Sequence, residues 1–200
     1  KMERLKRVYR KLFKDVPKSK TTIELNQERH GSVYGGWNIE KKSLNRDSIV
    51  YSVGIGKDIS FDVSVIEKYG CKVFGYDPTP RVAEWLSTQS IDSNFVFTPM
   101  ALSDSKGTLK LYKPTKITNI SHSAIKGTHV ESEFVEVPCI TLDDMMAMNN
   151  HDHIDLLKMD IEGEEFKVID NLINSNYNIR QLLIEFHHFS TSSSKETDVY

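Results

Sequence analysis

Apolar residues recur in two different patterns along the chain, and the change between them marks the predicted elements. From 49 to 53 they form a run rich in β-branched and aromatic residues that stops at Gly54 and Gly56. A helical spacing follows and ends at Gly70, and a second apolar run ends on Asp77. A short apolar run bounded by glycines indicates a buried strand, whereas a three-to-four-residue spacing indicates a helix. The stretch therefore predicts strand, glycine loop, helix and strand, the βαβ half of a nucleotide-binding sheet.

The alternation of strand-like and helix-like stretches continues to the last apolar run. Helical spacing resumes after Thr79 and after Thr141, two residues suited to N-cap positions, and again from Phe166. Further strands are predicted at residues 95–102, 108–112, 134–140, 154–159 and 180–186. Strands that alternate with helices are typical of an α/β protein. We predict a doubly wound, Rossmann-like, mostly parallel sheet.

The ends of the chain and one internal segment depart from this pattern. Residues 1–14 have an apolar helical stripe between basic residues, which predicts an amphipathic helix laid on the domain or, alternatively, a basic arm. Residues 17–45 predict an irregular lead-in, and the polar segment 114–132 predicts a surface loop or a mobile loop near a substrate. We therefore predict a helical lead-in at 1–46, the main domain at 47–190 and a polar tail at 191–200.

Composition and charge are those of an ordinary soluble globular protein. The 200 residues are 38% hydrophobic and 27% charged, and this length suits one domain with a proper core. A net charge of -2 argues against bulk binding to nucleic acid, and no apolar run approaches the ~20 residues of a membrane span. Cys71 and Cys139 lie in apolar runs, which predicts buried thiols and a cytoplasmic location. The chain begins at Lys1, so an upstream signal or anchor remains compatible with it.

The glycine loop and the acid that follows it predict a site for an adenosine-containing cofactor. Glycines at the end of a strand let the backbone approach a ligand, and Asp77 can accept hydrogen bonds from both ribose hydroxyls. A dinucleotide fingerprint would have a third small residue where this chain has Ile59, directly after Asp58. A carboxylate there would repel a pyrophosphate but can receive the ammonium of an amino acid. Gly54, Gly56 and Asp58 therefore favour S-adenosylmethionine over NAD, with a tight turn in another α/β protein as the alternative.

Three further features have a purely structural explanation beside a functional one. Asp104, in a turn after the third strand, either accepts from an adenine amine or serves only that turn. The glycines within residues 34–37 indicate a backbone that passes close to the cofactor mouth or to the outside of the sheet. Glu164 and Glu165 have a structural role available as first-turn acids that complement a helix dipole.

A second group of candidate residues lies around the strand at 154–159. Asp160 ends that strand, where open α/β sheets bind ligands, and Glu162 follows closely. The next strand runs into His187, with Glu185 two residues earlier on the same side. If the two strands are neighbours, Asp160 or His187 is a candidate general base for a hydroxyl. A metal site of Asp160, Glu185 and His187 is the less favoured alternative, and we predict no metal.

Several of these segments stand in the order found in one protein family. The segment Asp-Leu-Leu-Lys-Met-Asp-Ile-Glu-Gly-Glu-Glu at 155–165 is the most specific. The others are Val-Gly-Ile-Gly-Lys-Asp at 53–58, Gly-Tyr-Asp-Pro at 75–78, Ala-Leu-Ser-Asp-Ser-Lys-Gly at 101–107, Thr-Leu-Asp-Asp at 141–144 and Ile-Glu-Phe-His at 184–187. Over roughly residues 47–190 the chain resembles the FkbM family of S-adenosylmethionine-dependent methyltransferases. The resemblance implies a class I methyltransferase fold that acts mainly on oxygen, often on sugar or natural-product hydroxyls.

The resemblance also implies roles for individual residues. It makes Gly54 and Gly56 cofactor-loop residues, Asp77 the ribose acid and Asp104 an adenine-side residue. The matched segments complete the predicted cofactor site with three further residues, Pro78, Ala101 and Leu102. We predict an O-methyltransferase for a small-molecule or glycan hydroxyl. Its predicted catalytic residues are Asp160, Glu162, His187 and Glu185.

Two rival functions and one departure from the family remain. The rivals are an NAD(P)-dependent oxidoreductase and a non-catalytic module that keeps the fold for binding. The family's fold continues past the fifth strand into a helix and a strand hairpin, whereas this chain becomes polar and stops at Tyr200. The sheet is then either trimmed or completed differently. An unpaired edge strand would favour a homodimer.

Overall fold

The computed structural model describes residues 24–114 and 130–187. The predicted N-terminal helix, most of the polar segment 114–132 and the tail lie outside these residues. The described strands are β1 (Gln27–His30), β2 (Trp37–Glu40), β3 (Ile49–Val53), β4 (Lys72–Tyr76), β5 (Phe95–Thr98), β6 (Ala101–Leu102), β7 (Gly107–Pro114), β8 (Val130–Ile140), β9 (Ile154–Met159) and β10 (Ile179–Ile184). The described helices are α1 (Ser60–Tyr69), α2 (Pro80–Leu86), α3 (Leu142–Asn149) and α4 (Glu165–Ile173).

Five parallel strands form the central sheet in the order β10–β9–β3–β4–β5. The chain moves outward from β3 to β5 and later returns to add β9 and β10 on the other side of β3. The strand order therefore reverses between β3 and β9, the kind of point at which open α/β sheets bind ligands. The predicted doubly wound, mostly parallel sheet is confirmed.

Helices cover both faces of this sheet because the central strand is apolar on both sides. Val50 of β3 packs in one core with Val65 of α1. Its neighbour Tyr51 packs in a second core with Met145 of α3. All four side chains are fully buried. Since successive side chains of a strand point to opposite faces, the continuous apolar run at 49–53 fills both cores at once.

The single strand predicted at 95–102 is in fact divided between two sheets. β5 ends at Thr98 as an edge of the central sheet, whereas β6 pairs with β8 in a separate sheet of order β6–β8–β7. Pro99 lies between them and has no N–H to continue the hydrogen-bond ladder. The break carries Ala101 and Leu102 of β6 away from the line of β5.

Residues 27–40 form an antiparallel hairpin of β1 and β2 where the sequence predicted an irregular lead-in. β1 is polar, and the alternation of β2 covers only the four residues Trp37–Glu40, so neither strand gives a strong signal in the sequence. The buried His30 at the end of β1 contacts Ser64 of α1, with Nδ1 and Oγ 2.9 Å apart. The hairpin therefore packs beside the helix that follows the glycine loop.

Among the described residues, those from Gln27 onward belong to one compact unit. The division at 1–46, 47–190 and 191–200 stays a prediction. No helix in the described ranges is long and apolar enough to cross a membrane. Cys71 and Cys139 are buried free thiols, as the sequence predicted.

We expect Asp62→Asn to stabilise the protein increasingly as the pH rises from about 4 to about 7. Asp62 of α1 is buried, and burial raises the pKa of its carboxyl to about 6 despite the opposing charge of Lys158. The folded state therefore holds this proton where the unfolded state has released it, and the wild type loses stability as the pH rises through this range. Each pKa unit is worth about 1.4 kcal/mol, which gives a difference of about 3 kcal/mol.

Urea unfolding of both proteins at several pH values measures this difference. Asp47 is exposed, so Asp47→Asn is the control for the loss of one carboxylate. A difference that stays constant from about pH 4 to about pH 7 would show that Asp62 ionises in the folded protein as it does in the unfolded chain.

Candidate functional site

Gly54 lies where β3, β4 and β9 meet, and the fold leaves no room there for a side chain. Its φ of +72° is in the left-handed region, and a Cβ would lie 1.7 Å from the carbonyl oxygen of Asp160. Its N–H donates to the carbonyl of Tyr76 at 2.8 Å. Its own carbonyl accepts from Nζ of Lys158 at 2.9 Å. Glycine is therefore required where the glycine loop crosses the end of β9.

Asp77 fixes the two loops on either side of the predicted adenosine site. Its Oδ2 accepts from the N–H of Gly56, and its Oδ1 accepts from the N–H of Thr79, both at 2.9 Å. The side chain is 6% exposed, so this carboxylate is held in one orientation. Each carboxylate oxygen has a second lone pair, so Asp77 retains acceptor capacity for a ligand hydroxyl.

Asp58 and the turn of the β1–β2 hairpin form one connected unit at the start of α1. Oδ2 of Asp58 accepts from the Ser32 hydroxyl at 2.7 Å, and Oδ1 accepts from the N–H of Ser60 at 2.9 Å. The Ser32 hydroxyl also accepts from the N–H of Gly35 at 2.8 Å. Burial by itself raises the pKa of Asp58, but these hydrogen bonds outweigh it and keep the pKa below its ordinary value. The carboxylate is thus anionic at neutral pH.

A cavity of about 470 Å³ lies outside the carboxyl ends of the central strands. Its volume is within the range of small-molecule sites in proteins. Most of the residues that the sequence predicted for the site line it: Gly54, Gly56, Asp58, Asp77, Pro78, Ala101, Leu102, Asp160, Glu162, Glu185 and His187. The fold therefore brings together the two predicted groups, which stand about a hundred residues apart in the chain.

Asp104 is not brought to this cavity. It is exposed, and its Oδ1 accepts from the hydroxyls of Ser103 at 3.2 Å and Ser105 at 3.3 Å. The cavity wall in this region is formed instead by Ala101 and Leu102. The structure thus places Asp104 in the turn role, and an adenine contact by its side chain stays a prediction.

Asp160, Glu162 and His187 converge at one end of the cavity. Nε2 of His187 lies 3.7 Å from Oδ1 of Asp160 and 3.6 Å from Oε2 of Glu162. The nearest ligand atoms of the three side chains all lie within 4.8 Å of one another. Glu185 also lines the cavity but is outside this cluster. The metal alternative drawn from the sequence used Glu185 as its second carboxylate. The set that the fold assembles contains Glu162 in its place.

The charges of this cluster act on its pKa values in opposite directions. Burial raises the pKa of Asp160, and the nearby carboxylates of Glu185 and Glu165 add to that effect. Burial lowers the pKa of His187, but its hydrogen bond to the Glu165 carboxylate and the charges of Glu162 and Asp160 outweigh that effect, so the pKa is raised to about 9. The free protein therefore has an imidazolium among carboxylates at neutral pH.

Glu164 and Glu165 do more than complement a helix dipole, which corrects the expectation from the sequence. Both side chains are buried. Oε2 of Glu164 accepts from the Ser103 hydroxyl at 2.8 Å. Glu165 accepts from the N–H of Gly163 at 3.0 Å and from Nδ1–H of His187 at 2.8 Å. Glu165 therefore holds both the loop after β9 and the imidazole of His187 in place.

Lys158 is a functional candidate that sequence reasoning passed over. It is 5% exposed, lines the cavity and places Nζ 5.5 Å from the centre of the Trp37 ring. A lysine inside the apolar run of β9, two residues before Asp160 and hence on the same face, was the available signal. The hairpin residues Tyr34, Gly35 and Trp37 also line the cavity, so of the two explanations for residues 34–37 the cofactor mouth is the one that the geometry favours.

Comparisons with known proteins agree with this geometry. A sequence model described as the methyltransferase FkbM domain matches residues 32–199. The chain is 28% identical over 154 residues to the probable methyltransferase-like protein 24 of Homo sapiens, covering 76% of this chain and 36% of that protein. The Rattus norvegicus protein of the same description is 30% identical over 141 residues, covering 69% of this chain and 32% of that protein.

The chain spans about a third of the length of these curated relatives. No solved structure gives a significant match to it.

Proposed function

The chain belongs to the FkbM methyltransferase domain family, and from that premise we propose that it is an S-adenosylmethionine-dependent O-methyltransferase. Its acceptor in this proposal is a hydroxyl of a sugar or another small metabolite. One observation carries the proposal: the glycine loop, Asp77 and the cluster around Asp160 all line the same cavity. One end of the cavity suits an adenosine and an amino acid, and the other suits a hydroxyl group.

The residues at the cofactor end fit S-adenosylmethionine by their chemistry. Gly56 has φ +57°, and a Cβ there would meet nothing within 4 Å, so its backbone borders open space. The anionic Asp58 at the start of α1 suits an ammonium group, and Asp77 has acceptor capacity for ribose hydroxyls. In this proposal Gly54, Gly56 and Asp58 hold the methionine end, Asp77 the ribose, and Pro78, Ala101 and Leu102 the adenine side.

The residues at the other end prepare the acceptor hydroxyl. When bound, S-adenosylmethionine supplies an electrophilic methyl group for a hydroxyl oxygen to attack. Asp160, with His187 or Glu185 beside it, orients the hydroxyl and accepts its proton. Positioning contributes most of the acceleration, since effective molarities are worth up to about 7–11 kcal/mol. Proton transfer to a placed base adds roughly 10²–10⁴-fold.

The rival functions lack a comparable observation. For an NAD(P)-dependent oxidoreductase, the anionic Asp58 and the bulky Ile59 stand where a pyrophosphate would need a small residue and a free helix N-terminus. A non-catalytic binding module would need no cluster of Asp160, Glu162 and His187 at the acceptor end. The S-adenosylmethionine-dependent reaction is therefore the function that the residues support best.

We expect Asp77→Ala to weaken binding of S-adenosylhomocysteine at least about 10-fold, which corresponds to about 1.4 kcal/mol. The variant removes the ribose acceptor and also the two hydrogen bonds that hold the N–H groups of Gly56 and Thr79. Isothermal titration of the wild type and the variant measures this loss, with NADH as the test of the oxidoreductase alternative.

Asp92→Ala is the matched control. Asp92 also accepts from a backbone N–H two residues on, that of Asn94 at 2.7 Å, but it lies outside the cavity wall. We expect this variant to bind S-adenosylhomocysteine like the wild type. Binding of NADH in place of S-adenosylhomocysteine by the wild type would contradict the proposed cofactor class.

A further inference from the structure

Two carboxylates and an imidazole at the acceptor end of the cavity are spaced like the ligands of one metal ion. Nε2 of His187 is 3.6 Å from Oε2 of Glu162 and 3.7 Å from Oδ1 of Asp160. Ligand atoms about 2.1 Å from an octahedral ion lie about 3.0 Å apart at right angles and about 4.2 Å apart across it. The two distances from Nε2 fall between these values, and all three ligand atoms lie within 4.8 Å of one another, so an ion can bind with small side-chain movements.

The imidazole is oriented by a buried carboxylate behind it. Nδ1–H of His187 donates to Oε1 of Glu165 at 2.8 Å, and the Glu165 side chain is fully buried. Metal-binding histidines almost always donate their second ring N–H to such a group, which fixes the ring and turns the other nitrogen toward the ion. Here that other nitrogen, Nε2, is the one that faces Asp160 and Glu162, and a bound ion takes the place of the proton that Nε2 carries in the imidazolium. Glu165 is a positioning residue in this arrangement.

The charges around the cluster favour a cation. Four carboxylates act on this end of the cavity, those of Asp160, Glu162, Glu165 and Glu185. Two cations act on Asp160, the His187 imidazolium and Lys158, whose Nζ donates to the carbonyl of Gly54. The carboxylates therefore leave a net negative charge in a half-buried site.

We propose that Asp160, Glu162 and His187 bind a divalent cation at the acceptor end of the cavity. Carboxylates suit Mg²⁺ and Mn²⁺, and an imidazole among them favours Mn²⁺, which accepts nitrogen more readily. Three protein ligands leave positions on the ion for water or for an oxygen of the acceptor.

The role of the cation rests on the proposed function. An acceptor hydroxyl that binds the ion becomes more acidic and is held beside the cofactor end of the cavity. Its O–H bond breaks as the new O–CH₃ bond forms. With the cation bound, Asp160 is a ligand and orients the hydroxyl through the ion, and the proton passes instead to Glu185, a carboxylate of the same cavity that is not a ligand. The electron pair of the broken S–CH₃ bond stays on sulfur, so no oxidant or reductant is needed.

Titration of the full chain with Mn²⁺, followed by electron paramagnetic resonance, tests the site without any substrate. We expect saturable binding of one ion per chain and competition by Mg²⁺. Glu162→Gln is expected to weaken Mn²⁺ binding at least about 10-fold, since it removes one charged ligand. Glu185→Gln, from the same cavity but outside the cluster, is expected to change it less than about 3-fold. Circular dichroism of both variants establishes that they are folded.

Two results would overturn the cation site: no saturable Mn²⁺ binding by the wild type, or a larger loss in Glu185→Gln than in Glu162→Gln. Titration of the same preparation with S-adenosylhomocysteine separates this failure from that of the proposed function. Binding of S-adenosylhomocysteine without Mn²⁺ rejects the cation and leaves the methyltransferase proposal intact. Binding of Mn²⁺ without S-adenosylhomocysteine supports the cation site and contradicts the proposed cofactor.

Discussion

Gly54→Ala is expected to destabilise the fold by several kcal/mol, far more than the same change at Gly56. A non-glycine residue in the left-handed region costs roughly 1–2 kcal/mol, and both glycines have such a φ. At Gly54 the new Cβ would also lie 1.7 Å from the carbonyl oxygen of Asp160, which forces the ends of β3 and β9 apart. Overpacking of this kind adds about 1–3 kcal/mol. At Gly56 the Cβ meets nothing within 4 Å.

Gly56→Ala is therefore the matched control, because it carries the backbone cost without the collision. Urea unfolding followed by tryptophan fluorescence gives the free energy of unfolding of each variant. The difference between the two variants isolates the contact between Gly54 and Asp160. If both alanines cost the same, the close approach of β3 and β9 that positions the proposed catalytic cluster would be absent from the protein in solution.

The sequence predicts the central sheet well because its strands are apolar on both faces. The runs at 49–53 and 154–159 are mostly apolar and do not alternate strictly, a pattern typical of buried parallel strands. Glycines and an acid at fixed offsets then mark the carboxyl ends of the strands. Gly54, Asp77 and Asp160 could accordingly be assigned to one cavity from the chain alone, as the structure has them.

The parts that sequence reasoning missed depend on contacts between distant segments. The β1–β2 hairpin packs through the contact of His30 with Ser64 and through Ile39, which is buried in the same core as Val65. These few inward residues are too short a pattern to detect in the sequence. Glu162 enters the cluster because its own φ is +53°, a conformation that few non-glycine residues adopt. Strand alternation places Glu185 on the same side as His187 and so favours Glu185 as its partner. The conformation of the loop after β9 brings Glu162 to His187 instead.

Glu165 illustrates why burial must be known before an acid is assigned a role. Its place in the first turn of α4 has a sufficient explanation in the helix dipole, and nothing in the local sequence contradicts it. Only the fold shows that the side chain is fully buried between the loop after β9 and His187. A charged group that deep in the protein is retained only where it is hydrogen-bonded, as Glu165 is.

Asp160→Asn is expected to lower the rate of methyl transfer roughly 10²–10⁴-fold while leaving the affinity for S-adenosylhomocysteine within a few-fold of the wild type. Asparagine keeps the shape of the side chain and the backbone N–H that donates to the carbonyl of Val53 at 3.1 Å. It removes the charge that orients the hydroxyl and accepts its proton or binds a cation. The rate is measured by transfer of a radiolabelled methyl group, first across a panel of sugars and hydroxylated metabolites and then on the best acceptor.

The control for this variant is Asp152→Asn, a fully exposed carboxylate just before the other end of β9. Its rate should equal that of the wild type, because Asp152 is remote from the carboxyl end of the strand. Normal turnover in Asp160→Asn would remove Asp160 from the reaction and transfer the role of base to Glu185, since His187 is already protonated at neutral pH. Loss of S-adenosylhomocysteine binding in Asp160→Asn would instead mean that this carboxylate acts on the cofactor, since the asparagine leaves the backbone beside Gly54 unchanged. The two affinities and the two rates together decide which end of the cavity Asp160 serves.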